Sequence, residues 1–323
     1  MDVGVMYPKM PTTLGGVLPY ADLARRHGGR LWFGHSDAVD SLTMMAALAG
    51  RGAAIPLGTA VTLHPLWSPS ALARQALSIS RLSGASVVLG IGPGGARFQE
   101  SALGAPLARP VAETERFARQ VLAATEHSPA AVQLGFGVLR PAMAEAAGRA
   151  ASHAITWLTP GSWIRDSIAP ALARGAASSE RPVPHLEAVV HVGVRRPGRD
   201  PVSLVDSAVH AHLAAPHYRD MLRRAGIDLP DDGRGAARAV VDQGVYLFGS
   251  PEEIADGLEL LHADGADEVV VNVFGVLASH GEAAALADLE EVLAVLTERR
   301  IARERARTEA LDSFLAGAED VLA

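Results

Sequence analysis

The sequence predicts an α/β fold, a closed (β/α)8 barrel of the TIM type. Three observations carry that prediction. Short apolar runs alternate with longer Ala/Leu/Arg-rich segments of helical period, the mark of parallel βαβ units. The strand-like runs number eight, the closing number for this barrel. The length, 323 residues, suits one such barrel with insertions. A doubly wound open sheet shares the alternation but ordinarily has about six or seven strands.

The runs fall at residues 2–6, 30–34, 55–61, 86–91, 131–136, 153–158, 186–194 and 268–273. Each has the length of a buried strand. Helical patterns occupy 17–27, 38–50, 69–83, 108–125, 141–151, 161–175 and 251–264. In 69–83, Leu72, Ala76, Ile79 and Leu82 form one apolar stripe while Arg74, Ser78 and Arg81 lie off it, as an amphipathic helix requires. The rhythm breaks after Arg195-Arg196-Pro197-Gly198. Helix-like stretches at 201–214 and 216–225 and a polar turn at Asp231-Asp232-Gly233 read as a helical insertion, about 195–245, before the last βα unit. It is expected to lie over the barrel mouth. The segment 281–323 is helical and charged. It is expected to cover the barrel bottom or to meet a second copy through Leu311, Phe314 and Leu315, making a homodimer. The whole of 1–323 is read as a single domain.

Composition narrows the function. Net charge is −7, with 49% hydrophobic and 20% charged residues, which argues against a broad nucleic-acid footprint. The absence of cysteine excludes disulfides, iron–sulfur clusters and thiolate chemistry. No apolar run approaches the ~18 residues of a membrane span, and the N-terminal strand pattern has no signal-peptide regions. A cytoplasmic protein without membrane contacts is expected. The basic residues are Arg apart from Lys9.

In such a barrel the chemistry sits at the C-terminal strand ends. The first candidate is His35, in Gly34-His35-Ser36-Asp37 after the second strand. An imidazole there can give or take a proton near neutral pH, and Asp37 is placed to orient it; a loop or capping role is the structural alternative. Thr59, Ala60 and Val61 end the third strand, followed by His64 beside Pro65. Residues 90–95 match G-x-G-x-x-G, but no helix is predicted to open directly on them, and the match lies outside a first βα unit, so a dinucleotide fingerprint is disfavoured. In a barrel, Gly92 and Gly94 would let the backbone approach a flat ring. Gly137, Val138, Leu139 and Arg140 precede Pro141, which suits the first turn of a helix. Free amides plus a guanidinium make an anion site. Trp157 and Ser162 end the sixth unit and, with His64, are candidate substrate contacts. No metal site is expected: His210 and His212 face apart on a helix, and there is no H-E-x-x-H. No G-x-S-x-G elbow occurs either.

Several segments read together as a family pattern: "ADLARRHG", "LWFGHS", "AALAGRGAAIPLGTAVTLHPLWSPSALARQALSISRLSGASVVLGIGPG", "ITWLTPGSWIRDSIAPALARGAA" and "FGSPEEIADGLELLHADGADEVVV". This resembles the luciferase-like monooxygenase superfamily, particularly its coenzyme F420-dependent oxidoreductases. The resemblance runs from residue 2 to about 275, is most specific over 43–95, and leaves out 195–245. It implies a tricyclic ring over the barrel mouth. It also implies a non-prolyl cis bond near Ala60-Val61 supporting the ring, a strand-two histidine at His35, and cofactor phosphate contacts at Gly137 to Arg140. Two segments depart from the family: Arg97-Phe98-Gln99-Glu100 shifts the acidic or amide position after the glycines, and "SGASVV" replaces a Gly-Arg pair. The expected function is hydride transfer between coenzyme F420 and a small-molecule or modified-peptide substrate, reduction of an activated C=C or C=N foremost. The alternatives are a monooxygenase using reduced FMN and O2, and a non-catalytic ligand-binding barrel.

Overall fold

A computed structural model describes residues 1–126, 128 and 131–322, with side chains as far as Ala310. Eight parallel strands close a barrel: β1 (Asp2–Met6), β2 (Leu31–Phe33), β3 (Leu57–Thr59), β5 (Val87–Gly92), β6 (Val132–Gly137), β7 (His153–Trp157), β8 (His185–Val194) and β10 (Glu268–Asn272). β10 pairs with both β1 and β8 and so completes the ring. Each of the eight predicted runs overlaps one of these strands, with β5, β6 and β8 reaching one residue further.

Two short strands were not anticipated. β4 (Thr62–Leu63) continues the third strand along the rim of β5. β9 (Tyr246–Gly249) pairs with the upper half of β8, while the lower half pairs with β10; both partners meet β8 at His191. Runs this short carry too few residues for a period-two signal.

Inward residues alternate along each strand. Met6, Trp32, Val88, Ile155, Val189 and Val270 fill the lumen. Trp32 fits because both neighbouring strands are bare beside it. A Cβ at Gly58 would lie 2.5 Å from the indole, and one at Gly4 would lie 2.7 Å from its Nε1. The indole N–H donates to Glu268 Oε1 at 2.7 Å.

The outer helices are α1 (Leu14–Arg26), α2 (Ser41–Gly50), α3 (Pro69–Ser83), α4 (Ala96–Leu103), α5 (Pro110–Thr125), α6 (Pro141–Ala150), α7 (Gly161–Trp163), α8 (Ala169–Ala177), α9 (Pro201–Ala214), α10 (Pro216–Arg224), α11 (Gly233–Asp242), α12 (Pro251–Ala263), α13 (Phe274–His280) and α14 (Glu282–Leu322). A π-helical turn, Ile164–Ile168, joins α7 to α8. α4 corrects the expectation at residues 90–95: a helix does open there, with Gly95 as its N-cap. The glycines and Pro93 obscured its start. α9 to α11 form the insertion.

α14 packs along α1 and α12. Arg26 meets Glu290 at 2.6 Å, His27 Nδ1 meets Thr297 Oγ1 at 2.8 Å, and Arg303 meets Glu259 at 2.6 Å. Residues 301–310 are exposed. The expectation for Leu311, Phe314 and Leu315 lies outside the described side chains. Near its start, α14 supplies Asp288, 0% exposed. Its carboxylate accepts from the Val194 amide at 2.9 Å and from Arg199 and Arg196. The end of β8, the turn into the insertion and α14 are thereby held by one side chain.

Candidate active site

The barrel mouth is shaped by the end of β3. Thr59 Oγ1 donates to the Gly90 carbonyl at 2.8 Å, and the Ala60 amide donates to the Phe33 carbonyl at 2.7 Å. The Ala60–Val61 peptide is cis, at the position that the resemblance implied. The Val61 side chain then lies over the glycines of the next strands. A Cβ at Gly92 would come within 2.8 Å of Val61 Cγ2, and one at Gly137 within 3.2 Å of Cγ1. Ala60, Val61 and Trp157 cover the lumen cluster. The result is an apolar ledge across the mouth, flanked by strand ends without side chains.

His35 stands on the strand end beside that ledge, since β2 and β3 are in register at Phe33 and Thr59. Its Nε2 meets Asp37 Oδ1 at 3.0 Å, and its ring lies 6.0 Å edge-on from Phe98. Phe98 comes from α4 and packs against Gly94, whose φ is +73°. Gln99 fixes this loop by donating to the carbonyls of Pro93 and Gly94 and accepting from Leu107 N.

At the next rim position Arg140 is the N-cap of α6 and makes no side-chain cap. Its guanidinium meets Asp220 of α10 at 2.9 Å. The Val138 amide is already used by the Ile155 carbonyl, and the Leu139 carbonyl accepts from Trp163 Nε1. Of the predicted anion-binding stretch, the Arg140 side chain and the α6 N-terminus are therefore the parts left facing outward.

The insertion brings in side chains that the sequence reading missed. Trp157 lies 5.3 Å from His191 and 5.8 Å, stacked, from His212; Tyr218 lies 5.1 Å from His212. His217 touches the position of Gly95. Trp157 Nε1, both nitrogens of His191 and His212 Nδ1 are buried without hydrogen-bond partners. Convergent unsatisfied polar groups of this kind call for a functional explanation. His191 was legible in principle, because it continues the inward alternation Glu187, Val189, His191.

One predicted contact is not brought to this mouth. His64 is buried on the far side of its turn, with Nε2 2.9 Å from Thr114 Oγ1 and its ring 4.9 Å from Phe117. Ser162 is exposed in the first turn of α7.

Burial lowers the pKa of His64 to about 4. Burial, then the neighbouring His217, lowers His212 to about 4; burial, then His212, lowers His191 to about 3. These imidazoles are neutral at pH 7, so the mouth is polar without charge at that point. The unfolded chain takes up histidine protons near pH 6.5, whereas these folded rings refuse them until about pH 4 or below. Stability is thus full above pH ~6.5 and falls as the pH drops toward ~4. For His64 alone the loss is about 3 kcal/mol. Urea titrations across this range should show it, and His64→Gln should flatten that part of the profile.

A closed barrel with a ledge, a strand-end imidazole and a helix-capped insertion at its mouth defines a barrel enzyme scaffold. The chain belongs to the luciferase-like monooxygenase family, whose model matches residues 4–268. No curated protein matches the sequence. Among solved structures, the fold is similar to the coenzyme F420-dependent tetrahydromethanopterin reductase from Methanopyrus kandleri (TM-score 0.69, 17% identity, 92% of this chain and 100% of that one). It is also similar to an F420-dependent secondary alcohol dehydrogenase in complex with an F420–acetone adduct (0.67, 15%, 91% and 98%). The EDTA monooxygenase from Chelativorans sp. BNC1 superposes as well (0.68, 15%, 93% and 94%). Family and fold together mark the chain as an oxidoreductase-type enzyme. Among the described residues no helix is long and apolar enough to cross a membrane.

Proposed function

We propose that this enzyme uses coenzyme F420 to transfer a hydride to or from a small uncharged substrate, with reduction of an activated C=C or C=N the foremost case. The observation that carries the reading is the Val61 ledge. It offers one flat apolar face, and Gly92 and Gly137 leave room beside it that a Cβ would fill. Bound there, the deazaflavin supplies the hydride donor or acceptor. Ala60 and Val61 support the ring, and Thr59 holds the ledge to β5. Gly92 and Gly94 admit the ring edge. Arg140 and the α6 N-terminus hold the phosphate, with Asp220 released from the guanidinium. His35, fixed through Nε2 by Asp37, moves the proton at Nδ1. Trp157, His191 and His212 give and accept hydrogen bonds to a neutral substrate, a small molecule or a modified peptide, and the insertion excludes water. Two solved structures of similar fold use F420 by name. The reading includes a cytoplasmic, single-domain protein that forms a homodimer.

The test is a fluorescence titration with F420 and with FMN, each oxidised and reduced. Binding of the deazaflavin in preference to FMN is the expected result. Preference for reduced FMN would replace hydride transfer by oxygen-dependent chemistry, and binding of neither would sink both.

A further inference from the structure

The opposite end of the barrel carries a second cluster of chemistry-bearing residues. β7 and β8 are in register at His153 and His185, and Glu187 is the next inward position on β8. Both histidines turn Nδ1 toward the same oxygen, Glu187 Oε1; for His185 the distance is 2.9 Å. The candidate ligand atoms of the three residues all lie within 4.8 Å of one another. Glu187 is 0% exposed, and its other oxygen, Oε2, has no hydrogen-bond partner. Glu268, also buried, is the register partner of Glu187 on β10. Two carboxylates therefore sit side by side in the barrel floor. The one guanidinium described beside them, Arg30, lies 3.9 Å from Glu268.

Buried charge must be paired. Arg30 balances one of these carboxylates and leaves Glu187 to the imidazoles. Two imidazoles and a carboxylate are the donor set of borderline divalent ions, zinc above all, and match neither calcium nor magnesium, which take oxygen cages. A four-coordinate ion with bonds of about 2.1 Å needs ligand atoms about 3.4 Å apart, which lies inside the 4.8 Å that bounds this cluster. The floor is also accessible, because the His185 side chain is 34% exposed and faces Asp2 at 3.8 Å.

We propose that His153, His185 and Glu187 bind one divalent transition-metal ion of the zinc class at the barrel floor, with solvent in the remaining position. The ion neutralises Glu187, uses the oxygen that is otherwise unpaired, and ties β7 to β8 at their first residues. This end of a barrel serves stability rather than chemistry, so the site is structural and independent of the mouth.

The experiment uses the full, tag-free chain after chelator treatment, titrated with Co2+ and back-titrated with Zn2+. The expected result is one Co2+ per chain with visible d–d absorption, bleached by Zn2+ and unaffected by Mg2+ or Ca2+, and a higher Tm with either transition ion. His185→Ala, at a partly exposed position, should fold as judged by circular dichroism and lose both the absorption and the Tm shift; Glu187→Gln should do the same. No absorption with the unsubstituted chain would overturn the proposal. So would absorption that survives in His185→Ala, which decides the matter even if Glu187→Gln fails to fold. In either case the cluster is a proton-held network only.

Discussion

Replacing His35 by alanine is expected to lower turnover by about 100- to 10,000-fold, the usual worth of a positioned general acid or base. Affinity for the cofactor should change little, since the ledge, the glycines and Arg140 remain. The loss therefore belongs in kcat. Asp37→Asn provides the companion measurement. It keeps a hydrogen-bonding partner for Nε2 but removes the charge, so turnover should fall by less. Unchanged turnover in His35→Ala would move the proton transfer to another group, with His191 and His212 next in line at the mouth.

Asp288→Ala is expected to cost about 3–5 kcal/mol of stability, the range for breaking a buried charge pair by removing one partner. Three donors depend on this carboxylate: the Val194 amide, Arg199 and Arg196. Arg199 is itself largely buried, so it would be left as an uncompensated charge. The urea midpoint should fall with its slope unchanged. Asp288→Asn should recover part of the loss through the amide contact to Val194. A change under about 1 kcal/mol, within the range of exposed ion pairs, would show that the carboxylate does not hold β8 to α14.

The barrel was readable because its signals are local and repeated. Strand-length apolar runs recur eight times and helical patterns seven times, and each run with its helix alone proposes a βα unit. What escaped had no such period. β4 and β9 are too short, and α4 begins in a stretch where Gly92, Pro93, Gly94 and Gly95 argue for a loop. The site was legible to the extent that the barrel rule selects strand ends. His35, Val61 and Arg140 each follow the C-terminal end of a barrel strand. His64 also follows a strand, but its turn carries the ring outward to Thr114 and Phe117, and no feature of the sequence announces that direction. Of the partners of Trp157, His191 continues an inward row on β8, whereas His212 comes from the insertion, so the arrival of His212 at the mouth is a tertiary fact. Spacing also misleads when the element is not specified. An i, i+2 pair points apart on the helix bearing His210 and His212, yet points together on the strand bearing His185 and Glu187.

The branching of β8 means that the barrel does not have one circumference. Below His191 the hydrogen-bonded cycle runs through eight strands; above it β8 pairs with β9 instead of β10. The insertion leads into β9 and so meets the sheet only in that upper part. Its length and sequence can therefore vary without breaking the cycle beneath it, and the selectivity of the opening is mechanically separate from the integrity of the tube.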